Sequence, residues 1–338
     1  TRMTPISIPE GIDRHWITGV SNEAFGFAIP GVLDSARYPV VLVLFEDFRE
    51  AAQARADTDV ILQMPDLEKR KSAIRTTELP CLSDFSDLDA LSHEKRCDLI
   101  RALGLMREAS TGSGSVLVFT TVEALFQELP AAEEWNQAVL HLKKGDTLSF
   151  DSLRETLANK LHYSYEAVCE APGEFAVRGG IIDVYPPNAL APVRIDCFGD
   201  EIESMRTYDP TTQLTDASIE SLTLLPSEWK HANANRPAGH GLFSHLDYPV
   251  QFIIRESRIL ESRVNHRFAV PEERSMAAGH ASIQWSWTKR NGASDQWVAL
   301  DEHPDPSRLL SLEEPDRSMK AARLDTRISG ELEKDASD

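Results

Sequence analysis

The stretch GEFAVRGGIIDVYPPNALAPVRIDCFGDEIESMRTYDPTTQ (173–213) decides the architecture of this chain. Short strand-like segments are separated by the breakers Gly179–Gly180, Pro186–Ala191 and Gly199–Asp200. Gly199–Asp200 between two alternating segments is a two-residue hairpin signal. Side chains alternate across a strand, so VRIDCF (193–198) sorts into two sets. Val193, Ile195 and Cys197 form the core face, and Arg194, Asp196 and Phe198 point the other way. In EFAVR (174–178), Phe175 and Val177 likewise fit the core, leaving Glu174, Ala176 and Arg178 outward. The outer face is therefore expected to carry Arg178, Arg194 and Phe198, an aromatic that departs from the apolar-in pattern. That composition suits a protein-binding hot spot, in which the ring contributes area and each guanidinium can hold a carboxylate bidentately. The alternative is that Phe198 packs under a neighbouring loop and the arginines only solubilise an open sheet.

Upstream of this stretch, AVLHLKKGD (138–146) reads as a strand and turn, and Ser149 is placed to cap the helix SFDSLRETLANKL, with Asp151 in its first turn. Downstream, SIESLTLLP closes the pattern, so residues 136–226 are expected to form a small mixed α/β, β-rich domain. Residues 1–135 have a different texture. The apolar runs HWITGV (15–20), PVVLVLFE (39–46), DVILQM (59–64) and SVLVFTT (115–121) have the look of buried parallel strands. They alternate with helical stretches, the clearest being 89–109, where Leu91, Leu99, Leu103 and Met106 recur near the helical period. Strands alternating with helices predict an α/β domain with a parallel sheet, into which the smaller domain is inserted. After Pro226 the pattern weakens. HANANRPAGHG (231–241) is linker-like, VQFIIRES (250–257) resembles one more buried strand, and WSWTKRNGASDQWVAL (285–300) resembles a hairpin, so 227–300 reads as a remnant domain. Residues 301–338 carry 6 basic and 11 acidic groups and are expected to be mostly disordered.

Composition narrows the function. With 35 basic and 54 acidic side chains, the net charge of −19 argues against coating a phosphate backbone. Cys81, Cys97, Cys169 and Cys197 lack CxxC spacing and read as free thiols of a reducing compartment. No stretch approaches the ~20 apolar residues of a membrane span, and the opening TRMTPISIPEG has no signal-peptide core, so a cytoplasmic protein without membrane contact is expected. KRKSAIR (69–75) fits a solvated face rather than a nucleic-acid contact. His231, His240 and His245 lack acids or thiols at ligand spacing, so no metal is expected. Trp285, Trp287 and Trp297 fit a local hairpin cluster. No nucleophile-elbow glycine pair brackets a serine.

A phosphate-binding loop, GxxxxGK[ST], should follow the first strand of a nucleotide-binding α/β domain. Here that place holds Gly19-Val-Ser-Asn-Glu-Ala-Phe-Gly26. Ala24 stands where the second glycine belongs, Phe25 at the lysine and Gly26 at the metal-holding hydroxyl, and Glu23 would repel a triphosphate. FIIRESR (252–258) has the outline of the second nucleotide motif, but Arg255 occupies the metal-holding acid position and only Glu256 remains. These residues predict a degenerate fold without cofactor.

The 173–213 stretch resembles the signature of UvrB and of the transcription-repair coupling factor family, and the resemblance extends more loosely over about 15–230, through ITGVSNEA, SHEKRCDLIRAL and LKKGDTLSFDSLRETL. It implies a UvrB-like module: domain 1a with a degenerate P-loop-like parallel sheet, an inserted domain 2 and a domain 1b. UvrB keeps a working P-loop and a tyrosine-rich hairpin. This chain lacks the former, and DLEKRKSAIRTTELPCLSDF (66–85) contains no tyrosine, which favours the coupling factors. In that family domain 2 docks UvrA through two arginines and a phenylalanine, implying Arg178, Arg194 and Phe198 here. The resemblance thus implies a non-catalytic, monomeric recruitment module for UvrA. RNA polymerase and duplex DNA would be partners of the family's other regions, an RNA-polymerase-binding domain and a translocase motor. None of their motifs occurs before Asp338, so a fragment, an engineered piece or a shortened homologue is expected. A cryptic ATPase related to UvrB, or a DNA-binding or structural remnant, are the rival readings.

Overall fold

A computed structural model describes residues 14–21, 24–33, 37–64, 74–81, 90–112, 114–127, 129, 132–228, 242–246, 248–256, 260, 296–301 and 319–323. In chain order the first elements are β1 (Arg14–Thr18), α1 (Phe25–Val32), β2 (Val40–Phe45), α2 (Phe48–Leu62), β3 (Ile74–Leu79), α3 (Ala90–Ser110) and β4 (Ser115–Thr121). The helices α4 (Val122–Phe126) and α5 (Ala132–Ala138) lead to β5 (Leu140–Lys143) and α6 (Phe150–Glu155), which runs on into a π-helical turn at Thr156–Lys160. A run of strands follows: β6 (Ser164–Tyr165), β7 (Glu174–Arg178), β8 (Ile181–Val184), β9 (Val193–Phe198), β10 (Glu201–Tyr208), β11 (Thr215–Ile219) and β12 (Ser221–Leu224). Last come β13 (Val250–Arg255), β14 (Gln296–Asp301) and β15 (Met319–Arg323). The architecture is mixed α/β, in two compact units.

The first unit comprises Thr1–Glu78, Glu108–Glu123 and Leu246–Asp338. Its seven-stranded sheet has the order β15-β1-β14-β13-β2-β4-β3, and the pairs linking β15 through to β4 are parallel. β2, β4 and β13 are buried along their whole length, which is why they read as continuous apolar runs rather than alternating ones. Phe25, Ile29, Val41, Val43, Phe45, Phe119 and Ile253 meet in one core on the sheet.

Three expectations are corrected here. DVILQM is not a strand: it forms the end of α2 and the turn after it, in a helix capped by Asp47, whose carboxylate accepts from the Arg49 amide at 2.6 Å. Ile61 is buried while neighbouring Val60 is exposed, so the apolar run has one buried side, as a helix requires. β14 is no hairpin arm, since both its neighbours, β1 and β13, run parallel to it. Within the acidic end segment, residues 319–323 form β15, paired in parallel with β1, and most of the rest lies outside the described residues. Ala176, expected outward into water, is buried. Trp285, Trp287, His231, His240, Glu23, the 231–241 linker and most of KRKSAIR lie outside the described residues.

The second unit comprises Leu79–Arg107 and Ala124–His245. Its six-stranded sheet has the order β11-β10-β9-β8-β7-β6, with β12 and β5 forming a separate antiparallel pair. Ser149 caps α6 as anticipated, its hydroxyl accepting from the Ser152 amide at 3.2 Å. The Leu153, Leu157 and Leu161 side chains pack with Phe175, Ile182, Val184, Val193, Ile195 and Met205 on the inner face of the sheet. The alternation in 173–198 thus assigns that face correctly, with Val177 and Cys197 partly buried against it. α3, read from its leucines, passes close enough to a loop that a Cβ at Gly104 would lie 2.4 Å from the Leu225 Cδ1 atom.

Candidate functional site

The stretch read above as a degenerate phosphate loop lies in the first unit. Gly19 has φ +86°, and α1 begins at Phe25 with no side chain capping it. Phe25 is buried and meets Phe45 edge-on at 5.3 Å. Arg255, at the end of β13, places its guanidinium over the Phe25 ring at 5.0 Å from the centroid. The residues that stand at the lysine and metal-acid positions therefore pack on each other. A cavity of about 160 Å³ beside them is lined by Phe25, Gly26, Glu50, Gln53, Asp57 and Arg255, among others. Arg255 Nη2 lies 3.8 Å from a Glu256 carboxylate oxygen, while Nη1 is buried without a hydrogen-bond partner. A Cβ at Gly26 would sit 3.0 Å from the Asp57 Cβ, a tight contact that α2 would have to relieve by a few tenths of an ångström. No group of histidines, cysteines or acids among the described residues could hold a metal. His245 is buried beside the Trp135 ring.

In the second unit, strand register builds the outer face of the sheet. One row runs Arg178, Ile181, Asp196, Ser204, and the next runs Ala176, Asp183, Arg194, Arg206. Phe198 pairs with Glu201 across the Gly199–Asp200 turn, where Gly199 adopts φ +63° as a two-residue hairpin connection demands. The Phe198 ring is not covered by a loop: the residue is 79% exposed. Arg178, one row away, is also exposed and has no hydrogen bond or ion pair among the described residues. A free cation and a free ring thus share one end of the face.

Arg194 differs from the expectation that it would offer a bidentate fork to a partner. It is on the outer face, but its side chain is only 17% exposed, and the fork is already used by Asp183: Nε donates to Oδ1 at 2.8 Å and Nη2 to Oδ2 at 2.9 Å. Asp183 is 1% exposed, and a carboxylate buried that deeply requires a cation beside it. The pair holds Arg194 protonated even above its usual range, mainly through the Asp183 hydrogen bonds. The guanidinium also lies over the Tyr208 ring at 4.6 Å from its centroid, and Nη2 reaches Gln213 Oε1 at 3.3 Å. Tyr208 in turn donates its hydroxyl to the Cys169 carbonyl at 2.9 Å, and burial pushes its phenol pKa up. Arg206 pairs with Asp196, which also accepts from Ser204 Oγ at 2.7 Å. Reading single strands missed Asp183, Tyr208 and Gln213. The available signal was Asp183 itself, a lone acid in the apolar segment IIDV, which must find a cation on a neighbouring strand.

Residues 140–229 match the family model of the UvrB interaction domain. The chain is 26% identical over 219 residues to a transcription-repair-coupling factor of Bacillus subtilis, covering 65% of this chain and 17% of that protein. It is 41% identical over 106 residues to one of Haemophilus influenzae, covering 31% and 9% respectively. To UvrABC system protein B of Methanococcoides burtonii it is 24% identical over 273 residues, 75% of this chain and 39% of that protein. The chain thus spans under a fifth of the coupling factors and about two fifths of that UvrABC protein. Arg178, Arg194 and Phe198 all fall inside the matched segment. Residues 140–229 are therefore similar to the UvrB interaction domain, in a chain consistent with a UvrB-like module of the transcription-repair coupling factors.

Proposed function

We propose that this chain is a non-catalytic recruitment module that binds UvrA through the outer face of β7–β10 and so links stalled transcription to nucleotide excision repair. The observation that carries the reading is Phe198, an exposed ring on a tight hairpin beside the unpartnered Arg178, inside the segment similar to the UvrB interaction domain. A ring held on a two-residue turn loses little freedom on docking and fills an apolar pocket, as interface anchors do. Arg178 is free to grip a carboxylate by two parallel hydrogen bonds. Arg194, bound to Asp183 and donating from Nη1 to the Gln213 carbonyl at 3.5 Å, contributes as a fixed part of the surface. The degenerate loop serves as scaffold, because its lysine and metal-acid positions are filled by a ring and a cation that stack on each other.

The test is binding of purified chain to purified UvrA by titration calorimetry, with ATP and Mg²⁺ titrated separately. The reading expects saturable binding of UvrA, abolished by Phe198→Ala combined with Arg178→Glu, and no heat from the nucleotide. Unchanged affinity of the double variant removes the proposed face. Saturable nucleotide binding revives the ATPase reading.

A further inference from the structure

The loop between β10 and β11 carries another exposed apolar side chain, beside a residue that touches this face. Leu214 is 70% exposed, and its neighbour Gln213 has φ +61°, a left-handed conformation that a glutamine adopts only when its surroundings hold it there. Those surroundings are specific. The Gln213 side chain donates to the Pro210 carbonyl at 2.7 Å and accepts from Arg194 Nη2, and its amide donates to the Asp209 carbonyl at 2.8 Å. The Asp209 carboxylate accepts from the Thr211 and Thr212 amides at 2.9 and 2.7 Å, and the Asp209 amide donates to the Leu214 carbonyl at 3.0 Å. The loop is thus closed on itself and latched to Arg194, a residue in the middle of the outer face. Strain at one residue, maintained by contacts to a candidate binding residue, is characteristic of segments whose shape matters for function rather than for folding.

Size makes the same point. A standard interface covers about 800 Å² per partner, a patch about 32 Å across. Phe198 and Arg194 are four residues apart on one strand, about 13 Å at the usual rise. A patch of that size centred between them reaches beyond Arg194, the residue that Gln213 contacts.

We infer that residues 209–214 form the second rim of the docking face, with Leu214 as an apolar anchor for the same partner and Gln213, held by Arg194, as its positioning residue. This rests on the UvrA-binding reading above. It assigns Arg194 a job that its internal pairing allows: fixing the far rim while Phe198 and Arg178 grip at the near one. Because the loop is already ordered, Leu214 docks without the entropy loss of a mobile segment.

The experiment measures affinity for purified UvrA, together with thermal midpoints, for the full 338-residue chain and three variants. Leu214→Ser is expected to weaken binding about five- to tenfold, a modest effect in keeping with leucine's minor share in hot spots, with the midpoint unchanged. Gln213→Gly accepts the left-handed backbone without strain but releases the latch. It is expected to weaken binding about fivefold while the midpoint stays level or rises, a split that a purely structural role does not produce. Phe198→Ala reports on the parent reading. Loss of binding with Phe198→Ala but not with Leu214→Ser overturns the loop assignment and leaves the parent reading in place. Absence of binding by the unsubstituted chain overturns both.

Discussion

In the parallel-sheet unit Phe25 is 2% exposed under the Arg255 guanidinium, while in the six-stranded unit Phe198 and Arg178 face water without a partner among the described residues. The residue types are the same and the surroundings differ. Phe25 opens a helix that α2 crosses so closely that a Cβ at Gly26 would meet the Asp57 Cβ at 3.0 Å, and the arginine beside it comes from the end of a wholly buried strand. Phe198 ends a strand at a two-residue turn, and among the described residues no element folds back over it. The comparison teaches that an aromatic next to arginines signals neither a core nor an interface by itself. What decides is whether a neighbouring element comes near enough to cover the ring. Arg194 lies between the extremes, stacked on Tyr208 and bonded to Asp183 yet still on the outer face.

Paired truncations test that distinction. Phe25→Ala empties a packed site and is expected to cost about 3–5 kcal/mol of stability, read by urea unfolding, with UvrA affinity intact. Phe198→Ala is expected to do the reverse. Unfolding should be unchanged, and binding should lose about 2–4 kcal/mol, the range of interface hot spots. If Phe198→Ala lowers the unfolding midpoint as Phe25→Ala does, the two rings belong to one class and the contrast fails.

The covered interior of the six-stranded unit makes a separate prediction. Burial pushes the Cys97 and Cys169 thiols from an ordinary value of 9.0 up to about 12. The folded state therefore keeps protons that the unfolded chain releases near pH 9. Stability is full below that pH and falls as pH rises toward 12, by up to about 1.4 kcal/mol per pH unit for each thiol. The buried phenols of Tyr163 and Tyr208, raised in the same direction by burial, add to the slope above pH 10. Urea unfolding at successive pH values should show this decline, and the Cys97→Ala, Cys169→Ala double variant should flatten its lower part. A slope that the double variant leaves intact assigns the decline to other groups.

How much of this was legible in the sequence follows from the range of each interaction. Alternation within β9 needs no knowledge of its neighbours, so Val193, Ile195 and Phe198 were assigned to the right faces from their order alone. The Arg194–Asp183 pair depends on the register between β8 and β9, which single-strand reading does not contain, and so Arg194 looked as free as Arg178. DVILQM looked like a strand because a six-residue apolar window cannot tell a buried strand from the end of a helix. The Asp47 cap that settles the matter lies twelve residues earlier. β14 was legible as a strand but not in its pairing, and β15 was missed, because parallel pairing between segments distant in sequence draws on backbone bonds rather than side-chain pattern. The near rim of the proposed docking face was legible from types and spacing. The far rim was not, since nothing in DPTTQL announces that Gln213 is left-handed or that it touches Arg194.

The smallest expected effect separates the two arginines. Arg178→Gln removes an uncompensated, exposed charge. UvrA affinity should fall by about 1 kcal/mol, mainly through slower association, and the dependence on salt should become shallower, because a free surface cation steers an acidic partner over a screening length. Arg194→Gln removes a charge that Asp183 already neutralises. The long-range field of the face then changes in the other sense, since a carboxylate is left uncompensated at its centre, and stability falls because that carboxylate is buried. Association rates measured from low to moderate salt, alongside urea midpoints, distinguish the cases: Arg178→Gln should move only the former, and Arg194→Gln should move both. If the two substitutions flatten the salt dependence equally and neither lowers the midpoint, Arg194 must leave Asp183 for the partner on docking. The outer face would then present two free cations in the complex, where the unbound chain presents one among its described residues.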